Sequence, residues 1–175
     1  MLLTNSLQGD LRSGSPYVVG LALGVLGCIG SAEMARDLAA DVEKHLRDAT
    51  RPYVRKKAAL CVARLIRKAP DLTDAFLPHI VVLLTDKNHN VLLAGVTLLS
   101  TVVETTPNVA AKFGRLVPAL NKILRKLASA AYAPEYDVGG VTDPFLQVCA
   151  CAAAQRAVDS GAAAARRNDA KTSVA

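Results

Sequence analysis

The chain repeats itself every 36 to 37 residues, and that period limits its fold more than any other feature. Pro16-Tyr17-Val18 returns as Pro52-Tyr53-Val54, 36 positions on. Val54 then returns as Val91, Pro70 as Pro107 and Phe76 as Phe113, each 37 positions on. Landmarks of different chemistry that share one offset mark a repeating structural unit.

Each unit divides into two segments with helical spacing. The first segments are apolar: residues 15–30, 51–66 and 89–103. The second segments, 34–48, 71–86 and 107–128, follow a short polar break. In the first of these, Leu38, Ala39, Val42 and Leu46 share one side and leave the charges on the other. Asp71 after Pro70 and Asn108 after Pro107 are start signals for second helices. Residues 3–12 read as the second helix of an earlier unit. Pro78 and Pro118 fall within second helices and are expected to kink them or shift their starts. No stretch alternates with period two, so strands are not expected.

A two-helix unit of this length cannot bury both of its faces alone, so neighbouring units must stack. The expected fold is all-α, an α-solenoid of armadillo or HEAT-like repeats over residues 1–148. Residues 129–144 hold two prolines and a Gly-Gly pair and read as a long loop. From Cys149 the aliphatic spacing fades, and 149–175 is read as a divergent, Ala-rich, loosely ordered tail. The composition agrees with helix packed on helix, because aliphatic residues dominate, aromatics are only 4% and Trp is absent.

Cys28 and Cys61 lie in apolar runs and are expected to be reduced and buried, which points to a reducing, cytosolic compartment. Cys149-Ala-Cys151 has no second ligand pair at zinc-site spacing, so no metal is assigned. The apolar run 17–30 has 14 residues, short of the roughly 20 that a membrane span needs. No catalytic set emerges either. His45 and His89 read as solvated, no phosphate-binding glycine loop is present, and Asp137 and Asp143 only flank a loop. Neither a catalytic residue nor a cofactor is assigned.

The segment YVRKKAALCVARLIRK stands out because its charge is arranged. From Arg51 to Lys68 there are seven basic residues and no acid. On a helical wheel Val54, Ala58, Cys61, Val62, Leu65 and Ile66 form an apolar side. Lys56, Lys57, Arg64, Arg67 and Lys68 gather opposite, and only Arg55 and Leu60 break the division. With a net charge of +6 and no counter-charge nearby in sequence, this face is the candidate site for an anionic lipid or an acidic protein surface. Lys122, Arg125 and Lys126 form a second basic group. Nucleic acid fits by charge, but no stacking or base-reading module accompanies it.

Four stretches carry a resemblance: LGCIGSAEMARDLAADVEKHL, YVRKKAALCVARLIRKAPDL, LLTDKNHNVLLAGVTLL and PEYDVGGVTDPFLQV. Together, over about residues 2–148, they resemble the trunk of the gamma-adaptins, large subunits of the clathrin adaptor complex of the trans-Golgi network and endosomes. DPFLQV is the sharpest of these motifs, and RKKAAL is shared more loosely among large adaptins. The resemblance implies a non-enzymatic trunk that cradles small and medium chains and pairs with a beta-type large chain. It also implies that an Arf-type GTPase and phosphoinositide recruit the complex peripherally to trans-Golgi and endosome membranes and coated vesicles. Relative to the family, the earlier trunk helices do not precede Met1, and the Leu- and Arg-rich helix expected after Val148 is replaced by CACAAAQRAVDS. The rival expectations are an armadillo-type scaffold of another transport pathway and a truncated adaptin piece that does not assemble.

Overall fold

A computed structural model of the chain describes residues 2–106, 116–129 and 135–172, with side chains of the last helix through Asp159. Within these residues there are eight α-helices: α1 Leu2–Leu11, α2 Pro16–Ile29, α3 Ala32–Arg47, α4 Pro52–Lys68, α5 Thr73–Leu83, α6 His89–Thr105, α7 Val117–Ser129 and α8 Pro144–Thr172. A 3-10 turn, Pro70–Leu72, precedes α5, and a two-strand hairpin, β1 Asp137–Val138 and β2 Val141–Thr142, precedes α8. The fold is all-α and repeating, as the period requires.

The helices begin and end where their sequences direct. Pro16 and Pro52 occupy the first turns of α2 and α4, where a missing N–H costs nothing. The Ser31 hydroxyl accepts from Met34 N–H at the start of α3, and the Asn88 carbonyl oxygen accepts from Asn90 and Val91 N–H at the start of α6. Pro118 lies in the first turn of α7, so it sets that helix's start; Pro78 is inside α5. Asp71 lies in the 3-10 turn and pairs with Arg36, while Asn108 is outside the described residues.

First helices form one layer in the order α2, α4, α6, α8, each packed on the next. They run parallel. Tyr17 meets Tyr53 near the N-terminal ends of α2 and α4, and Arg64 reaches Gly27 and Cys28 farther along. His89 meets Asp143 at the start of α8, and Glu104 meets Arg156 deeper in the same pair. Second helices α1, α3 and α5 line up behind this layer, and α7 packs on α8. The core runs unbroken through all units. Leu23 and Leu26 of α2, Leu65 and Ile66 of α4, and Leu98 and Leu99 of α6 are all fully buried.

Two expectations are corrected. Helix α8 crosses the boundary drawn at 148/149 and continues to Thr172. Leu146, Ala150, Ala153 and Ala157 are buried, a stripe spaced at four, three and four residues along one side. Alanine is a weak hydropathy signal but the best helix former, and its small side chain lets α8 pack closely on the branched residues of α6. The loop at 129–144 contains a hairpin among its described residues, paired Asp137 to Thr142 and Val138 to Val141. Gly139 and Gly140 turn it with φ of 62° and 83°, a conformation that favours glycine at both positions.

Arg55, which broke the basic face in the sequence, is buried. Its Nε donates to Leu46 O at the end of α3, and its Nη1 pairs with Asp86 after α5. Substituting Met for Arg55 leaves the Asp86 carboxylate without its partner and is expected to cost ~3–5 kcal/mol, while Arg55→Met/Asp86→Leu recovers most of that. Urea unfolding followed by circular dichroism checks this, and a single variant with the wild-type midpoint contradicts it.

Asp41 of α3 ties α1 to α3. Burial pushes its carboxyl up, but hydrogen bonds from Gln8 and Lys44 and the Arg12 charge bring it below the usual carboxylate range. A carboxyl depressed in the fold stabilises above its unfolded value of about 4 and loses that contribution as pH falls through the folded value. Asp41→Asn is therefore expected to flatten the acid limb of the stability curve below about pH 4, measured by thermal melts across pH.

Candidate partner-binding face

Helix α4 lies between α2 and α6, so its polar side adjoins a neighbour on each flank. That placement decides what its cations do. The Lys68 ammonium donates to Gly27 O at 3.2 Å and to Cys28 O and Gly30 O at 2.8 Å. These carbonyls end α2, so Lys68 satisfies a helix C-terminus and meets its partial negative charge. Arg64 Nη1 donates to Cys28 Sγ at 2.7 Å. Its side chain lies 3.1 Å from where a Cβ on Gly27 would stand, so Gly27 is the notch that seats it. Arg67 donates to Thr101 Oγ1 at 3.5 Å and lies 3.7 Å from Glu104 of α6. Glu104 also pairs with Arg156 of α8 at 2.9 Å, so its carboxylate bridges three first helices.

The expectation that no counter-charge offsets these cations is thus corrected for Arg67, whose acid lies 37 positions on rather than nearby in the chain. Arg64, Arg67 and Lys68 hold neighbouring repeats together. Arg67 and Glu104 are both exposed, so that pair stabilises by only about 0–1 kcal/mol.

Lys56 and Lys57 differ. Both are half-buried, and neither has an acidic partner among the described residues. Lys57 Nζ lies 5.9 Å from the centre of the Tyr53 ring, within cation–π range. The edge of that ring sits where a Cβ on Gly20 would stand, with 2.6 Å to its nearest carbon, so glycine admits the ring between α2 and α4.

The second basic group is exposed on α7. Lys122, Arg125 and Lys126 surround an open depression of about 450 Å³ together with Pro118, Asn121 and Ser129. The structure does not join the two groups, because α4 packs chiefly on α2, α3 and α6, and α7 on α8.

The histidines are built in rather than solvated. His45 Nε2 lies 2.8 Å from Leu11 O, and His79 pairs with Glu43 at 2.9 Å. His89 Nδ1 lies 3.0 Å from Asp143 Oδ2, and its ring stacks on Tyr136 at 4.4 Å. The other Asp143 oxygen accepts from Leu146 N–H at the start of α8. Asp143 thus locks the hairpin, α6 and α8 at one point from a left-handed backbone with φ of 46°. Nothing in the spacing of His89 and Asp143 signalled this contact, because the hairpin displaces the fourth unit from the period. Cys61 is buried, and burial pushes its thiol up to about 12, which leaves it inert; Cys28 is exposed, contrary to expectation.

Three of the five cations on the polar side of α4 thus join neighbouring repeats, and Lys56 and Lys57 do not. The family model for the adaptin N terminal region matches residues 1–171. The AP-1 complex subunit gamma of Dictyostelium discoideum is 45% identical over 148 residues, covering 85% of this chain and 16% of that protein. AP-1 complex subunit gamma-2 of Arabidopsis thaliana is 49% identical over 151 residues, covering 85% of this chain and 17% of that protein. AP-1 complex subunit gamma-like 2 of Homo sapiens is 47% identical over 148 residues, covering 85% and 19%. The chain spans less than a fifth of the length of these relatives. With its solenoid and this match over most of its length, the chain belongs to the adaptin family, and the members it resembles here are of the gamma type.

Proposed function

We propose that this chain is a non-enzymatic scaffold segment of a clathrin adaptor complex, acting in vesicle-mediated transport between the trans-Golgi network and endosomes. Its solenoid binds sister chains of the complex, namely the small, medium and beta-type large chains. Membranes are reached peripherally, with an Arf-type GTPase and phosphoinositide acting through the assembled complex. The observation that carries this reading is the adaptin match along a continuous stack of repeats. Among the described residues, no helix is long and apolar enough to cross a membrane.

Within the basic face, Lys56 and Lys57 are the contact to a partner, since Arg64, Arg67 and Lys68 already bind neighbouring repeats. Lys56→Glu/Lys57→Glu is expected to lower capture of co-expressed small, medium and beta-type chains about tenfold, with the circular dichroism melt unchanged. Wild-type capture together with wild-type sedimentation on phosphoinositide liposomes removes the role of these lysines. Failure of the wild-type chain to capture any sister chain overturns the scaffold reading itself.

A further inference from the structure

The chain is poor in aromatic residues, and the few it has are placed unusually. Of the five aromatic residues among the described positions, only Phe76 is in the core. Tyr17 is 75% exposed, Tyr53 41% and Phe145 70%, and Tyr136 covers His89. All four lie along one edge, where the parallel helices α2, α4, α6 and α8 begin. Tyr17 and Tyr53 each follow the proline that opens α2 and α4, and their rings meet at 5.9 Å. Phe145 follows the proline that opens α8, and with Tyr136, His89 and Leu93 it lines a cavity of about 250 Å³. Exposing large rings in this way forgoes their burial, and such anchors are typical of protein interfaces.

The edge is also polarised. Toward α2 and α4 it carries Arg51, Lys56 and Lys57, the exposed Lys87 precedes α6, and toward α8 it carries the exposed Glu135 and the half-exposed Asp137. Helices packed ~8–10 Å apart make the edge roughly 25–30 Å long from α2 to α8, the breadth of an ordinary protein interface. A uniformly anionic lipid surface matches only the lysine end and repels the carboxylates at the other.

We propose that this aromatic edge is where a folded sister chain of the assembly docks. Its partner surface is acidic opposite Lys56 and Lys57, basic opposite Glu135 and Asp137, and offers apolar pockets to Tyr17 and Phe145. The proposal rests on the scaffold reading and adds where, and by what chemistry, the partner is held.

The test uses the whole chain co-expressed with recombinant small, medium and beta-type chains and isolated through a tag on this chain. Tyr17→Ser/Phe145→Ser is expected to lower capture about tenfold, and Glu135→Lys several-fold, with melts unchanged because all three side chains are exposed. In the wild-type complex, Lys56 and Lys57 are expected to lose at least about fivefold reactivity toward an acetylating reagent, read by mass spectrometry, an observation that needs no variant. If the wild type captures sister chains while both variants capture equally and the lysines stay reactive, the edge is overturned and the scaffold reading survives. If the wild type captures none, both fall. If Tyr17→Ser/Phe145→Ser abolishes sedimentation on anionic vesicles and leaves capture intact, the edge is a membrane face and the proposal is wrong.

Discussion

Everything in this molecule depends on the lateral packing of parallel first helices. A two-helix unit has more apolar surface than it can cover alone, so α4 and α6 are stable only as the middle of a stack. Close approach is achieved locally: Gly20 admits the Tyr53 ring, Gly27 admits Arg64, and Gly95 admits Leu83. Side-chain contacts follow the same rule. Arg36 with Asp71, His79 with Glu43, Arg64 with Cys28 and Gln8 with Asp41 join residues 33 to 36 positions apart. Many of the contacts between units therefore join residues about one repeat apart in the chain.

That rule changes the meaning of the basic helix. A run of cations without a neighbouring acid looks like a surface waiting for an anion. Once stacked, Lys68 ends α2, Arg67 meets an acid of α6, and Arg55 closes α3 onto Asp86. Much of the positive charge on α4 is structural, joining neighbouring repeats at the surface of the continuous core. Lys56 and Lys57 near the start of α4 keep no acidic partner among the described residues, and Lys122, Arg125 and Lys126 stay exposed on α7.

The fold was legible because the period is a property of the chain itself. Pro16 and Pro52, or Phe76 and Phe113, can be aligned without knowing where they lie in space. Wherever they are described, the first and second helices from α1 to α6 lie within a few residues of the spans their sequences predict, because aliphatic spacing and caps are local. The alanine stripe of α8 is faint in the sequence because hydropathy measures transfer from water and misses how closely small side chains let helices pack. The candidate site was only half legible. The five cations share one side of α4, but three of them are used by neighbours whose positions depend on the stack.

The sequence by itself determined the repeat and, from α1 to α6, the approximate helix boundaries and the buried side of each helix, since these follow from periodicity and from backbone preferences acting over a few residues. Only the tertiary structure decided which charges are spent and which are free, that Asp143 clamps His89 and α8 together, and that the scarce aromatic rings share one exposed edge. The reason is geometric. Those properties belong to pairs of residues one repeat or more apart, and their distances exist only after the helices have stacked.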